Sequence, residues 1–210
     1  MNDAPLLLVL GTGNRHKGQE IADLLTLAGL ELRTLADFPA AIQVTEDGDT
    51  FAANAAKKAS QQAQHLGHWV LADDSGLMVD WLHGAPGVRS ARYSGPDASD
   101  ASNNRKLLAE LIDVPFEQRG AQFVCVVALA DPRGTIRAES EGYCRGRILE
   151  SPRGTHGFGY DPLFEVLEYH RTFAELGPGA KAVLSHRARA LQKLIPVVQT
   201  LVDTRQWAPE

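Results

Sequence analysis

Residues 6–10 read Leu-Leu-Leu-Val-Leu, an apolar run interrupted by no polar side chain. A strand of this kind must be covered on both faces, as the central strands of parallel sheets are. Gly11-Thr12-Gly13-Asn14 then turns the chain. Asn14 stands where it can cap a helix reaching to near Gly29, with Ile21, Leu24, Leu25 and Ala28 as its apolar stripe. A buried strand that feeds a helix at once predicts an α/β fold. A second short strand is expected over 31–35, then a polar loop at 45–49. Thr50 caps an Ala-rich helix running to about Leu66, where Gly67 stops it.

The stretch 69–95 is the densest in chemistry. It opens on Trp69-Val70-Leu71-Ala72, a buried strand by its pattern, and passes directly into Asp73-Asp74-Ser75-Gly76. Carboxylates at the end of a strand sit at the mouth of a sheet, where α/β proteins bind ligands. Alternation then resumes through Leu77, Val79 and Trp81 to the turn Gly84-Ala85-Pro86-Gly87. A helix is expected over 101–111, and two long strands over 121–130 and 136–148. These are joined by Asp131-Pro132-Arg133-Gly134, in which Pro presets φ and Gly supplies permissive geometry. A Gly- and Pro-rich loop spans 151–162, with a strand expected over 163–166. The last helix covers 185–202, with Leu191, Leu194, Ile195 and Val198 on one face and a kink at Pro196.

Helices and strands alternate first and a long antiparallel pair comes later. The fold class is therefore α/β with a mixed sheet, read as one domain over 1–210 that can open into two lobes around a cleft. The formal net charge of −5 argues against a general nucleic-acid or membrane surface. Cys125 and Cys144 have no metal-ligand or C-x-x-C spacing and read as reduced core thiols of a cytoplasmic protein. The apolar run at 6–10 is too short for a signal peptide and lacks its basic start.

Four local patterns carry chemistry. Thr12, Gly13, Asn14, Arg15, His16 and Lys17 follow a strand and open a helix, so that backbone N–H groups and two cations can cradle an anion. The loop is not a Walker A motif, since it lacks the Gly-Lys-Ser/Thr ending, and His16 occupies the third-glycine position of a dinucleotide fingerprint. Glu46-Asp47-Gly48-Asp49 and Asp73-Asp74 together could hold a hard divalent cation, because Mg²⁺ takes one or two carboxylates along with waters and phosphate oxygens. One of those carboxylates could accept a proton from water. Gly157-Phe158-Gly159-Tyr160-Asp161-Pro162 pairs a ring with a directed carboxylate, which suits a nucleobase. Lys181, Ser185, His186 and Arg187 add donors at the start of the last helix. A serine hydrolase is excluded because Ser75 lies in Asp-Ser-Gly rather than a G-x-S-x-G elbow.

TGNRHK, TFAANAAKKA, LADDSGLMVDWLHGAPGVRSARYSG, GFGYDPLF and SHRARAL, in this order, resemble the inosine/xanthosine triphosphate pyrophosphatases. The resemblance implies Mg²⁺-dependent cleavage, with Mn²⁺ able to substitute, between the α- and β-phosphates of non-standard purine nucleoside triphosphates. It also implies a homodimer and an elongated two-lobed α/β fold with the active site in the cleft. Asp74 matches the family's general base and metal-linked carboxylate, and Glu46 its second metal-side acid. Residues Thr12 to Lys17, Lys58 and Ser75 match phosphate-side contacts. Phe158, Gly159, Tyr160, Asp161, Lys181, His186 and Arg187 match base-side contacts. The chain departs from the pattern at His16 and Ala188, where the family has glycine, and at Ala53, where it commonly has Glu. Two other readings remain: a phosphohydrolase of ordinary triphosphates, and a nucleotide sensor, against which the presence of Asp74 argues.

Overall fold

The computed structural model describes residues 5–27, 29–204 and 206–207. In chain order the elements are β1 (Leu6–Leu10), α1 (Arg15–Leu24), β2 (Leu30–Thr34), α2 (Phe51–Leu66), β3 (Trp69–Val79), α3 (Asp100–Glu110), β4 (Gly120–Ala130), β5 (Ile136–Ile148), β6 (Phe164–Val166), β7 (Arg171–Thr172), α4 (Phe173–Leu184) and α5 (His186–Asp203). Among the described residues seven strands hydrogen-bond in the order β2-β1-β3-β4-β5-β6-β7. The sheet is mixed: β1 runs parallel to both β2 and β3, while β6 is antiparallel to β5 and β7. This is the expected α/β class. Among the described residues no helix is long and apolar enough to cross a membrane.

The chain divides into two compact units. The first comprises Met1–Asp74, Cys125–Gly142 and Arg187–Glu210. Its core joins Leu8 and Leu10 of β1, Ile21 of α1 and Leu71 of β3 to Val127 and Leu129 of β4 and to Leu191, Leu194 and Val198 of α5. The Trp69 and Trp207 rings stack with centroids 4.3 Å apart. The second unit comprises Ser75–Val124 and Tyr143–His186. There Leu77, Val79, Leu107, Leu111, Phe123, Phe164 and Phe173 form the core.

Most elements fall within a residue or two of expectation, and the differences have physical causes. Helix α1 stops at Leu24 rather than near Gly29, because Leu25 leaves helical geometry while still donating its N–H to Ile21. Ala28, expected on its apolar stripe, lies outside the described residues. Strand β3 does not end at Ala72 but continues through Asp73 and Asp74 to Val79. Cations meet both carboxylates, Lys17 and Arg187 at Asp73 Oδ2 and Lys58 at Asp74 Oδ1, so their weak strand propensity is overridden by context. Trp81 does not extend the buried alternation; it is 49% exposed. Helix α4 has no counterpart in the sequence reading, since Gly177-Pro178-Gly179 signals a loop. A Thr172–Glu175 capping box nonetheless starts it, and Gly177 at φ 78° breaks it midway.

Candidate active site

In the first unit the expected phosphate loop forms at the junction of β1 and α1. Asn14 caps the helix, its side chain accepting the N–H groups of His16 (3.0 Å) and Lys17 (3.1 Å). Thr12 Oγ1 accepts the Asn14 N–H, so both side chains are engaged in shaping the turn. Gly13, Arg15 and His16 are exposed. Lys17 points back toward the sheet, its Nζ 3.4 Å from Asp73 Oδ2.

The two aspartates of β3 occupy different environments. Asp73 is fully buried. Its Oδ2 accepts Arg187 Nη2 at 2.9 Å and Nε at 3.3 Å, and Arg187 Nη1 also donates to Glu20. Burial alone would raise the Asp73 pKa, but the Lys17 ammonium and the Arg187 guanidinium outweigh it and hold this carboxyl well below the usual range. Asp74 is 5% exposed. Its Oδ2 accepts Asn54 Nδ2 at 3.1 Å and its Oδ1 lies 3.5 Å from Lys58 Nζ. Here burial dominates and pushes the carboxyl upward, against the pull of Lys58 and Lys17. Lys58 Nζ also meets Glu46 Oε1 at 3.1 Å, so one ammonium bridges the two candidate cation-side acids. Burial opposes the charge on Lys58, yet the carboxylates of Asp74, Asp73 and Glu46 raise its pKa. Among the described residues no three His, Cys, Asp or Glu side chains converge as a ready-made metal cage.

The second unit gathers the residues expected on the base side. Asp161 is buried, and its Oδ2 accepts Lys181 Nζ at 2.5 Å and the Phe158 N–H at 2.9 Å. The same ammonium lies 4.2 Å from the centre of the Phe158 ring. Gly157 has φ +79°, and a Cβ there would stand 2.1 Å from Asp161 Oδ2, so only glycine lets the loop wrap this carboxylate. Gly159 donates its N–H to Asp100 at 2.6 Å and accepts from Asn104 at 3.0 Å. Tyr160 is buried and donates to the Ser90 carbonyl at 2.9 Å. His186 stacks on Phe123, the centroids 4.7 Å apart. Ser75 is half-buried in β3.

Arg187, which the sequence groups with the base side, belongs to the first unit. It is 1% exposed and committed to Asp73 and Glu20 in the first unit. Asn54 and Gln62 are not singled out by the sequence, which names Asp73 only as half of the Asp73-Asp74 pair. Asn54 and Gln62 flank Lys58 at four-residue spacing on an Ala-rich helix, and that polar stripe was the available signal. Of the three departures, His16 and Ala53 fall on exposed positions and Ala188 is fully buried.

Comparison with known proteins places the chain in a family. Residues 8–197 match the model of the Ham1 family. A dITP/XTP pyrophosphatase of Rhodopirellula baltica is 55% identical over 94% of this chain and 95% of its own length. One of Desulforamulus reducens is 50% identical over 92% and 96%. A solved HAM1 protein from Coxiella burnetii superposes with a TM-score of 0.85 at 38% identity, covering 93% of this chain and 99% of that one.

Proposed function

The chain belongs to the Ham1 family, and from that premise we propose that it hydrolyses non-standard purine nucleoside triphosphates, inosine and xanthosine forms, to the monophosphate and pyrophosphate. The observation that carries the reading is Asp74: a buried carboxylate raised by desolvation, hydrogen-bonded by Asn54 and flanked by Lys58. A carboxylate made more basic by burial is a better acceptor for a proton from attacking water. Asn54 fixes one of its oxygens and leaves the other toward Lys58, which orients the base and offers positive charge to phosphate oxygens. Lys17 and Arg15, at the positive end of the α1 dipole, supply the rest of the phosphate side. Phe158 stacks on the base, while Asp161 and Lys181 hold the loop that carries it, and His186 supplies a further donor.

The donor set fits Mg²⁺ or Mn²⁺. Glu46 and Asp74 are hard oxygen ligands gathered around one ammonium, and the substrate's own phosphate oxygens and water would complete the shell. Such an ion, when bound, would neutralise phosphate charge and polarise the reacting phosphorus. We further propose a cytoplasmic homodimer, to be checked by light scattering for twice the chain mass and by cell fractionation.

The deciding experiment incubates the protein with a panel of triphosphates and Mg²⁺ and identifies the phosphate released. Pyrophosphate, with inosine and xanthosine triphosphates cut far faster than ATP and GTP between them, supports the reading. Orthophosphate alone, or full activity in excess chelator, overturns it.

A further inference from the structure

Helix α2 carries polar side chains at 54, 58 and 62, four residues apart and therefore on one face. The two outer ones are amides, and both meet the same loop. Asn54 Oδ1 accepts the Gly48 N–H at 2.8 Å while its Nδ2 reaches the Gly48 carbonyl at 3.3 Å. Gln62 Oε1 accepts the Ile42 N–H at 3.3 Å and its Nε2 donates to the Ile42 carbonyl at 2.5 Å. Each amide thus gives one loop residue the two-way exchange that a neighbouring strand would give. Between them Lys58 holds Glu46. The intervening segment has no helix or strand of its own, so these clamps supply its ladder. Gln62 is 2% exposed. It also borders the same cavity of about 460 Å³ as Glu46, Lys58, Gly11 and Gly13.

We propose that Gln62 is a positioning residue. By fixing Ile42 it sets the path of residues 42–48, hence where the Glu46 carboxylate stands beside Lys58 and Asp74, and hence the affinity of that pair for a divalent cation. The inference rests on the reading of Glu46 and Asp74 as cation-side carboxylates. Asn54 cannot separate the two effects, because it bonds Asp74 directly. Gln62 can be separated: the bonds of its amide go to Ile42, four residues from Glu46, so its influence must travel through the loop.

The test measures Mn²⁺ binding to the full chain by electron paramagnetic resonance. Gln62→Met keeps the bulk and removes both amide bonds. The Mn²⁺ dissociation constant should rise about tenfold or more, the usual effect of removing a group that supports a ligand from behind. The nucleotide KM at saturating Mn²⁺ should move far less. In a Glu46→Gln background Gln62→Met should add nothing, because its route to the ion is gone. Gln61→Leu, on the exposed side of the same helix, should bind Mn²⁺ like wild type. Wild-type Mn²⁺ affinity in Gln62→Met, or a full additive loss in the double variant, overturns the proposal. If Gln62→Met fails to fold, amide exchange of the wild-type protein decides: protection of the Ile42 and Gly48 N–H groups matching the interior of α2 supports the clamp, and exchange of Ile42 at free-loop rates overturns it. A wild-type protein that releases pyrophosphate with no divalent cation would instead overturn the cation reading beneath this inference, and the inference with it.

Discussion

Asp73 and Asp74 are adjacent on β3, and successive strand residues face opposite sides of the sheet. Asp73 meets a guanidinium and an ammonium and is held ionised as a structural anion. Asp74 meets an amide and a more distant ammonium, and burial leaves it more basic than an ordinary carboxylate. The difference assigns the proton acceptor. Asp74→Asn keeps size and shape while removing the base, so kcat is expected to fall roughly 10²–10⁴-fold. Steady-state kinetics that retained more than about half of wild-type kcat would remove Asp74 from that role. Asp73 has a second effect on its surroundings. Cys125 lies behind it, Sγ to Oδ2 3.9 Å, and burial together with that carboxylate pushes the thiol up to about 12. Since the thiolate is the reactive form, Cys125 stays protonated at pH 8. Iodoacetamide should label it slowly in the native protein and readily after denaturation, as read by mass spectrometry; fast native labelling would show the pocket to be open.

At the scale of elements, β1, α2, β4 and β5 were legible because each carries a local signal: an unbroken apolar run, a Thr cap with a Gly stop, two long strands around a Pro-Gly turn. What local signals could not give was the extent of β3. Asp-Asp-Ser-Gly looks like the end of a strand when its counter-charges are unseen, and they come from Lys17, Lys58 and Arg187, remote in sequence. Helix α4 was hidden for the opposite reason, since Gly177 and Pro178 advertise a loop that a capping box overrides. The phosphate loop itself depends on close packing between β1 and β3. Gly11 donates to Leu71 O at 2.7 Å, and a Cβ there would stand 2.8 Å from Val70 Cγ1 and 3.1 Å from Ala72 Cβ. Gly11→Ala is therefore expected to cost about 1–3 kcal/mol through overpacking. At this chain length Tm should drop by about 2–4 °C per kcal/mol in calorimetry. An unchanged Tm would mean that the strands part without cost, and the loop would then owe nothing to the glycine.

At the scale of the whole chain, one side chain ties together its beginning, middle and end. Arg187 lies in the first turn of α5, pairs with Asp73 on β3 and with Glu20 on α1, and is among the largest fully buried side chains. The sequence places His186 and Arg187 side by side and so assigns them one job, because contacts 114 and 167 residues away leave no local trace. Guanidinium geometry explains the choice of residue: Nε and Nη2 both reach one carboxylate oxygen while Nη1 reaches a second partner, a fork that lysine cannot copy. Removing it leaves Asp73 buried, with Lys17 at 3.4 Å as the nearest remaining countercharge. Breaking a buried pair in this way costs about 3–5 kcal/mol, far more than a surface pair. Arg187→Ala should accordingly lower the denaturation midpoint steeply. Arg187→Lys should recover part of the loss, keeping the charge but not the fork. Lys17, left as the nearest countercharge of a buried carboxylate, is drawn further onto Asp73 and away from the phosphate side, which every triphosphate uses alike. The folded fraction of either variant should therefore cut inosine triphosphate and ATP more slowly by a common factor, leaving their kcat/KM ratio where wild type has it. A ratio that collapses while the denaturation midpoint stays at the wild-type value would return Arg187 to the base pocket and make its bond to Asp73 incidental.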